Sequence, residues 1–210
     1  MKPIYTKNRI IGLLGGSFNP AHAGHLHISE YALKSLGIDE VWWLVSPKNP
    51  LKSADSLADY NERIASARIV TKHNQRIFVS DIEKHISTSY TYQTLRQLQK
   101  RYHGTKFIWL MGADNLAGFH RWQHWQRILK ILPIIVFDRS PYSFVSLASK
   151  TYIRMRKFLQ QNTNYSCNSI YYKTPSLQFV HLKRDDHSST NIRKTLGIKA
   201  FIRHNQHHTE

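Results

Sequence analysis

The sequence is poor in cysteine and has no long apolar run. Its one cysteine, Cys167, excludes a disulfide within the chain and a cysteine-based zinc site. No apolar run approaches the roughly 20 residues that a membrane-spanning helix needs. Residues 1–5 lack the apolar core of a secretion signal. These absences predict a cytoplasmic protein without a membrane partner.

Acidic residues are also scarce, because 13 Asp and Glu stand against 30 Lys and Arg, for a formal net charge of +17. Such a surface attracts polyanions, and nucleic acid is one candidate. The chain carries no DNA- or RNA-binding motif, so we expect no specific nucleic-acid partner. A basic nucleic-acid-binding protein stays open as the alternative from a different functional class. Steering of nucleotide substrates would use only part of this charge.

Short apolar runs alternate with helical patterns along the 210 residues, and 41% of the residues are hydrophobic. The predicted strands are residues 10–14, 41–45, 77–79, 107–111, 134–137 and 177–182. Six helices are predicted. The first follows residue 25, the second follows a cap at Asp59 or Asn61, and the last begins near residue 189. The other three cover residues 91–101, 122–132 and 144–159. This alternation predicts a single α/β domain over residues 1–210, with a Rossmann-like parallel sheet and helices on both faces. Residues 160–175 are predicted to form a mobile loop, and the tail from about 200 to be frayed.

Residues 15–25, GGSFNPAHAGH, join the first predicted strand to the first predicted helix. Gly15 and Gly16 would let backbone N–H groups approach a ligand, and Gly24 would keep the helix entrance free of a Cβ. The N–H groups of a helix start favour an anion, and His22 and His25 add two donors there. The spacing matches neither G-x-x-x-x-G-K-[ST] nor G-x-G-x-x-G. The pattern indicates a phosphate cradle of another type.

A zinc site built from His22, His25 and His27 is an alternative interpretation of the same stretch. Three histidines lie close together in the sequence, but His27 would point away from the other two, and no nearby carboxylate completes a ligand set. We therefore predict no metal held by protein side chains. Magnesium is the expected cofactor, held mainly by phosphate oxygens and water.

The string Gly-Ser-Phe-Asn-Pro-x-His-x-Gly-His resembles the HxGH signature of the nucleotidylyltransferase superfamily, and specifically of its nicotinate-nucleotide adenylyltransferases. Further matches are Ser89-Tyr90-Thr91, Gly112-Ala113-Asp114, Trp122 and Ser188-Ser189-Thr190-Asn191-Ile192-Arg193, so the resemblance spans most of the chain. His187 stands where the family commonly has Ile. Enzymes of this family join nicotinate mononucleotide to the adenylyl part of ATP, giving deamido-NAD and pyrophosphate.

The resemblance implies a role for each matched residue. His22 and His25 would be catalytic and would contact the ATP phosphates. Further ATP or phosphate contacts would come from Gly15, Gly16, Ser17, Phe18, Gly24, Lys52, Gly112, Asp114, Ser189, Thr190 and Arg193, with Asp114 directed toward the adenosine ribose. Nicotinate mononucleotide would be bound by Asn19, Tyr90, Thr91 and Trp122, the last by stacking on the pyridine ring.

Structural explanations compete with several of these roles. The hydroxyls of Ser89 and Ser189, or the carboxylate of Asp114, could be plain helix caps. Lys52 could be a solvated charge, and Trp122 could fill the core. Within the superfamily, pantetheine-phosphate adenylyltransferase is the first rival and glycerol-phosphate cytidylyltransferase the second. The first rival typically has Thr where this chain has His22, and neither explains Trp122 together with Thr91.

Overall fold

The computed structural model describes residues 8–48, 57–86, 88, 90–138, 149–159 and 174–182. Within these ranges the chain forms one six-stranded sheet in which all neighbouring strands pair in parallel, in the order β3-β2-β1-β4-β5-β6. The strands are β1 Ile10–Gly16, β2 Glu40–Val45, β3 Ile77–Ser80, β4 Lys106–Gly112, β5 Ile134–Asp138 and β6 Leu177–His181. All six lie where the sequence predicts strands, and the predicted parallel sheet is confirmed.

Helices follow the strands along the chain. They are α1 Ala23–Ser35, α2 Tyr60–Thr71, α3 Ile82–His85, α4 Thr91–Arg101, α5 Ala113–Gly118, α6 Trp125–Ile131 and α7 Lys150–Met155. Short 3₁₀ turns, Phe119–Arg121 and Arg156–Phe158, follow α5 and α7. Asp59 caps α2 by accepting from the N–H groups of Asn61 and Glu62, which decides between the two predicted caps.

The two faces of the sheet carry separate apolar layers, because successive side chains of a strand point in opposite directions. Leu14 of β1 packs with residues of α1 and α2, such as Ile28 and Ile64. Leu13, its neighbour, packs on the other face with residues of α4 and α6, such as Leu95. Helices therefore cover both faces, as predicted for a Rossmann-like fold.

Three predicted elements have wrong boundaries. The helix predicted for residues 122–132 begins only at Trp125, since His124 adopts a left-handed conformation (φ 55°) and the backbone at Trp122 is extended (ψ 140°). The first strand continues beyond Leu14 through both glycines. The helix predicted over 144–159 is not continuous: an α-helix begins at Lys150, after the extended N-cap residue Ser149, and passes into a 3₁₀ turn at Arg156, while residues 144–148 lie outside the described residues.

The strand order reverses between β1 and β4, since β1 leads to β2 and β3 on one side while β4 leads to β5 and β6 on the other. In an open parallel sheet, the carboxyl ends at such a reversal leave a crevice in which ligands bind. The turn after Gly16 and the turn after Gly112 both lie at this crevice. None of the helices in the described ranges is long and apolar enough to cross a membrane.

Candidate active site

The turn that joins β1 to α1 places the two histidines of the motif at the start of α1. His22 is the N-cap residue, with extended backbone (φ −153°), and His25 is the third residue of the helix. The Nδ1 atom of His22 accepts from the N–H of Gly24 at 3.1 Å. The Nδ1 atom of His25 accepts from the N–H of His22 at 3.3 Å. Together these bonds form a reciprocal capping box made of two imidazoles.

The two hydrogen bonds of the capping box assign the same tautomer to both rings in their neutral form. A neutral imidazole that accepts at Nδ1 carries its hydrogen on Nε2, so each ring presents Nε2 as its donor. The two ring centroids lie only 3.9 Å apart. His22 is 3% exposed, whereas His25 is more open. Two hydrogen-bond donors are thus held side by side at the entrance of a helix, where the helix dipole also favours an anion.

Aromatic side chains of the core pack against the ring of His25. Phe18 is 2% exposed, and its ring stacks on Trp43 of β2 at a centroid distance of 4.9 Å and contacts the ring of His25 at 4.8 Å. The Nε1–H of Trp43 donates to the Ser29 hydroxyl, which in turn donates to the His25 carbonyl. The side chain of Phe18 therefore belongs to the core. A phosphate contact by this residue would have to come from its backbone.

The structure gives Gly15 a packing role that the sequence does not reveal. A Cβ at this position would lie 2.3 Å from the indole of Trp109 in β4, far inside van der Waals contact. Trp109 in turn packs edge-on against Trp122 at 5.8 Å, and Phe119 contacts the same ring at 4.9 Å. Trp122 is half-buried. The absence of a side chain at Gly15 thus makes room for the ring that supports Trp122.

Arg63 of α2 holds the β1–α1 turn to the segment after β2. Its side chain is 1% exposed and donates four hydrogen bonds to main-chain carbonyls. The acceptors are Ser17 (2.7 Å), Ser46 (2.7 Å), Pro47 (3.0 Å) and Ala58 (3.1 Å). Three chain segments that border the crevice are therefore fixed by one guanidinium group.

None of the four acceptors of Arg63 is a carboxylate, so all four of these hydrogen bonds go to neutral groups. Burial lowers the pKa of Arg63, and the nearby Tyr60 and Asp59 act in the opposite direction. A guanidinium stays charged even so, because its ordinary pKa lies far above neutral pH. A buried positive charge consequently lies against the β1–α1 turn, which is predicted to hold phosphate. Asn19 adds a parallel link, since its side-chain oxygen accepts from the N–H of Ala58 at 3.1 Å.

The remaining described candidates lie at the carboxyl ends of the strands or at helix starts. Gly112 ends β4 and is the N-cap residue of α5, and Asp114 is exposed in the first turn of that helix. Asp114 is therefore not the cap of α5. Tyr90, 39% exposed, is the N-cap residue of α4, and Thr91 is its first residue.

Several predicted site residues lie outside the described residues, namely Lys52, Ser89, Ser189, Thr190 and Arg193. The predicted mobile loop is likewise outside them up to residue 173. Their roles stay predictions.

Two residues that support the site were not among the predicted ones: Arg63 and Trp109. Arg63 shares the inward face of α2 with Ile64 and Ala67, and an arginine in phase with an apolar stripe is the one signal that could have found it. Trp109 carries no such signal. Among the described residues, no group of three or more His, Cys, Asp or Glu side chains could hold a metal ion.

Comparison with known proteins identifies relatives over most of the chain. The model of the cytidylyltransferase-like family matches residues 13–195. A protein of Parvibaculum lavamentivorans, named "Probable nicotinate-nucleotide adenylyltransferase", is 40% identical over 93% of this chain and 96% of its own length. The protein of the same name from Erythrobacter litoralis is 45% identical over 87% of this chain and 83% of its own length.

Solved structures show the same fold. The Plasmodium falciparum nicotinic acid mononucleotide adenylyltransferase complexed with NaAD matches with a TM-score of 0.67 at 18% identity, covering 96% of this chain and 98% of that one. The same protein complexed with APC gives a TM-score of 0.66.

Proposed function

The chain belongs to the cytidylyltransferase-like family and, within it, to the nicotinate-nucleotide adenylyltransferases, and we propose a mechanism from that premise. The enzyme transfers the adenylyl group of ATP to nicotinate mononucleotide, giving deamido-NAD and pyrophosphate, a step of NAD biosynthesis. The observation that carries this mechanism is the pair of imidazoles in the capping box of α1, held at the crevice between β1 and β4. The family model and the two relatives confirm the resemblance to the HxGH signature as a family relationship.

The reaction joins two phosphates, so the enzyme's task is positioning and charge stabilisation. The phosphate oxygen of nicotinate mononucleotide attacks the α-phosphorus of ATP in line, and the bond to the β,γ-pyrophosphate breaks. No protein nucleophile is required, since both reacting groups belong to the substrates. We assign His22 and His25 to the α-phosphate and the departing pyrophosphate, where the Nε2 donors would meet the charge that develops. The buried Arg63 cation, bonded to the β1–α1 turn, adds to the positive potential at the phosphates.

Magnesium would enter this site bound to ATP. The turn of residues 15–25 contains no carboxylate, the protein ligand by which Mg²⁺ is usually held. The metal would be held by phosphate oxygens and water. When bound, it would neutralise part of the phosphate charge.

Two described features support recognition of the pyridine nucleotide. The first is the start of α4, where the N–H groups near Thr91 favour a carboxylate. The second is the half-buried indole of Trp122, fixed by Phe119 and Trp109 and suited to stacking on a flat ring. We assign Thr91 and Trp122 to the nicotinate part of the substrate on this basis.

Acceptor choice tests this function. We expect nicotinate mononucleotide to be used at least about tenfold more efficiently than nicotinamide mononucleotide, because a helix start rewards a carboxylate over a neutral amide. Phosphopantetheine should not be adenylylated. The measurement is pyrophosphate release from ATP and magnesium with each acceptor offered separately. Equal catalytic efficiency with acid and amide would contradict a site that recognises the carboxylate, and turnover with phosphopantetheine would favour the first rival.

Replacing Trp122 by Ala tests the stacking role. The loss of one stacking face should cost about 1 kcal/mol, which raises the KM for nicotinate mononucleotide by roughly fivefold. The KM for ATP should stay within about twofold. Trp125→Ala is the matched control, because Trp125 also packs against Phe119 but has no proposed ligand contact. If both variants change the KM for nicotinate mononucleotide equally, Trp122 acts through packing alone.

A further inference from the structure

Glu83 is a buried carboxylic acid that no part of the proposed mechanism uses. It lies in α3 and is 5% exposed. Its Oε1 atom accepts from the Thr94 hydroxyl at 3.1 Å, and its main-chain carbonyl accepts from the N–H of Thr88 at 3.2 Å. Its Oε2 atom has no hydrogen-bond partner, since the nearby Ser46 hydroxyl donates to the Lys48 carbonyl instead.

Both partners of Glu83 hold the start of α4. The Thr94 hydroxyl also lies 3.4 Å from the carbonyl of Tyr90, the N-cap residue. The Thr88 hydroxyl accepts from the N–H of Tyr90 at 3.1 Å and bonds to the side chain of Gln93. The main-chain carbonyl of Glu83 is thus hydrogen-bonded to the turn before α4, and its side chain is hydrogen-bonded to the first turn of α4.

We infer that Glu83 is a positioning residue for the pyridine nucleotide, because it fixes the N–H groups at the start of α4 that receive the substrate's carboxylate. The inference rests on the proposed function and adds to it a residue that selects the acid substrate. Glu83 itself does not touch the substrate. It acts through Thr94 and Thr88.

The protonation state of Glu83 suits this role. Burial raises the pKa of Glu83 to about 7, although the hydrogen bond from the Thr94 hydroxyl acts to lower it. A protonated Glu83 supports α4 without placing a negative charge near the substrate's carboxylate, whereas the ionised form would repel it.

Other ionisable groups surround this carboxyl. Tyr60 of α2 interacts electrostatically with Glu83, and Arg63, Asp81 and Lys84 in turn lie around Tyr60. Burial, together with the charges of Asp81 and Glu83, raises the pKa of Tyr60 to about 12, so Tyr60 stays neutral over the range in which Glu83 titrates.

Steady-state kinetics of Glu83→Gln, Glu83→Ala and Thr94→Val test the inference. We expect Thr94→Val and Glu83→Ala to raise the KM for nicotinate mononucleotide about tenfold, with the KM for ATP within about twofold. Glu83→Gln keeps the shape and a hydrogen bond, so its KM values should match those of the parent enzyme at about pH 6.

Between about pH 6 and pH 8.5 the KM of the parent for nicotinate mononucleotide should rise, while that of Glu83→Gln stays constant. The KM for nicotinamide mononucleotide should not follow this trend in either protein.

Glu62→Gln is the matched control, because Glu62 is half-exposed on α2 and the substitution makes the same carboxyl-to-amide change. The inference is overturned if Thr94→Val and Glu83→Gln behave like this control at both pH values. It is equally overturned if the KM values for ATP and nicotinate mononucleotide rise together. Should Glu83→Ala not fold, the other two variants decide by the same criteria. Failure of the parent enzyme to use nicotinate mononucleotide would instead refute the proposed function, which keeps the two failures apart.

Discussion

His22→Asn and His25→Gln are each expected to reduce turnover by about 10²–10³, while ATP affinity changes little. The reason is that an interaction which strengthens only as charge develops at the phosphates affects turnover and leaves ground-state binding nearly unchanged. These two substitutions are chosen because of the capping box. Asn is a good N-cap residue, and Gln at the third helical position can return a bond to the cap N–H, so both keep α1 intact.

The control for this pair is His27→Gln, on the same helix but outside the capping box. Its turnover should stay close to that of the parent enzyme. Melting temperature, bound metal, ATP affinity and turnover are to be measured on all three variants. Loss of a stoichiometric metal would favour the zinc alternative for His22, His25 and His27. A folded His22 or His25 variant that keeps more than about a third of its turnover would contradict a catalytic role, since that loss is under 1 kcal/mol.

Arg63→Met is expected to destabilise the protein by about 3 kcal/mol, the second large effect that the structure predicts. The substitution keeps much of the side-chain volume but leaves four carbonyls without their donor, including those of Ser17 and Ser46. For a chain of this size, such a loss lowers the melting temperature by roughly 6–12 °C. Turnover of the remaining folded protein should fall at least about tenfold, because the β1–α1 turn would no longer be fixed.

Two further variants separate geometry from charge at Arg63. Arg63→Lys keeps the positive charge but cannot reproduce the planar set of donors, so it should recover little of the lost stability. Arg68→Met removes an exposed cation from the same helix and should change stability by less than about 0.5 kcal/mol. If Arg63→Met melted like Arg68→Met, the four hydrogen bonds would contribute nothing measurable and the positioning role would be wrong.

The sheet and most helices were predictable because their periodicities are strong. Helix α4 begins and ends where the sequence predicts it, at Thr91 and Arg101, since inward residues such as Leu95 and Leu98 recur at helical spacing. The region around Trp122 was not predictable, because a left-handed residue at His124 delays the helix and histidine gives no strong signal for that conformation.

The motif was predictable, but its supports were not. The residue types around His22 and His25 suffice to predict two hydrogen-bond donors at a helix start. The reason for Gly15 depends on Trp109, which is distant in sequence and reaches Gly15 only through the register of β1 on β4. The role of Arg63 depends on main-chain carbonyls, which no residue type marks. Contacts of this kind follow from the folded geometry alone.

The most direct test of the central claim is to follow the α-phosphorus of ATP. The purified chain is incubated with ATP labelled at the α-phosphorus, magnesium and nicotinate mononucleotide, and the label is traced by chromatography and mass spectrometry. The account predicts that transferred label appears only in deamido-NAD, with one pyrophosphate released per product and no label on the protein. Label retained on the protein as a competent intermediate, or ATP consumption without deamido-NAD, would contradict direct transfer between substrates at the His22–His25 turn.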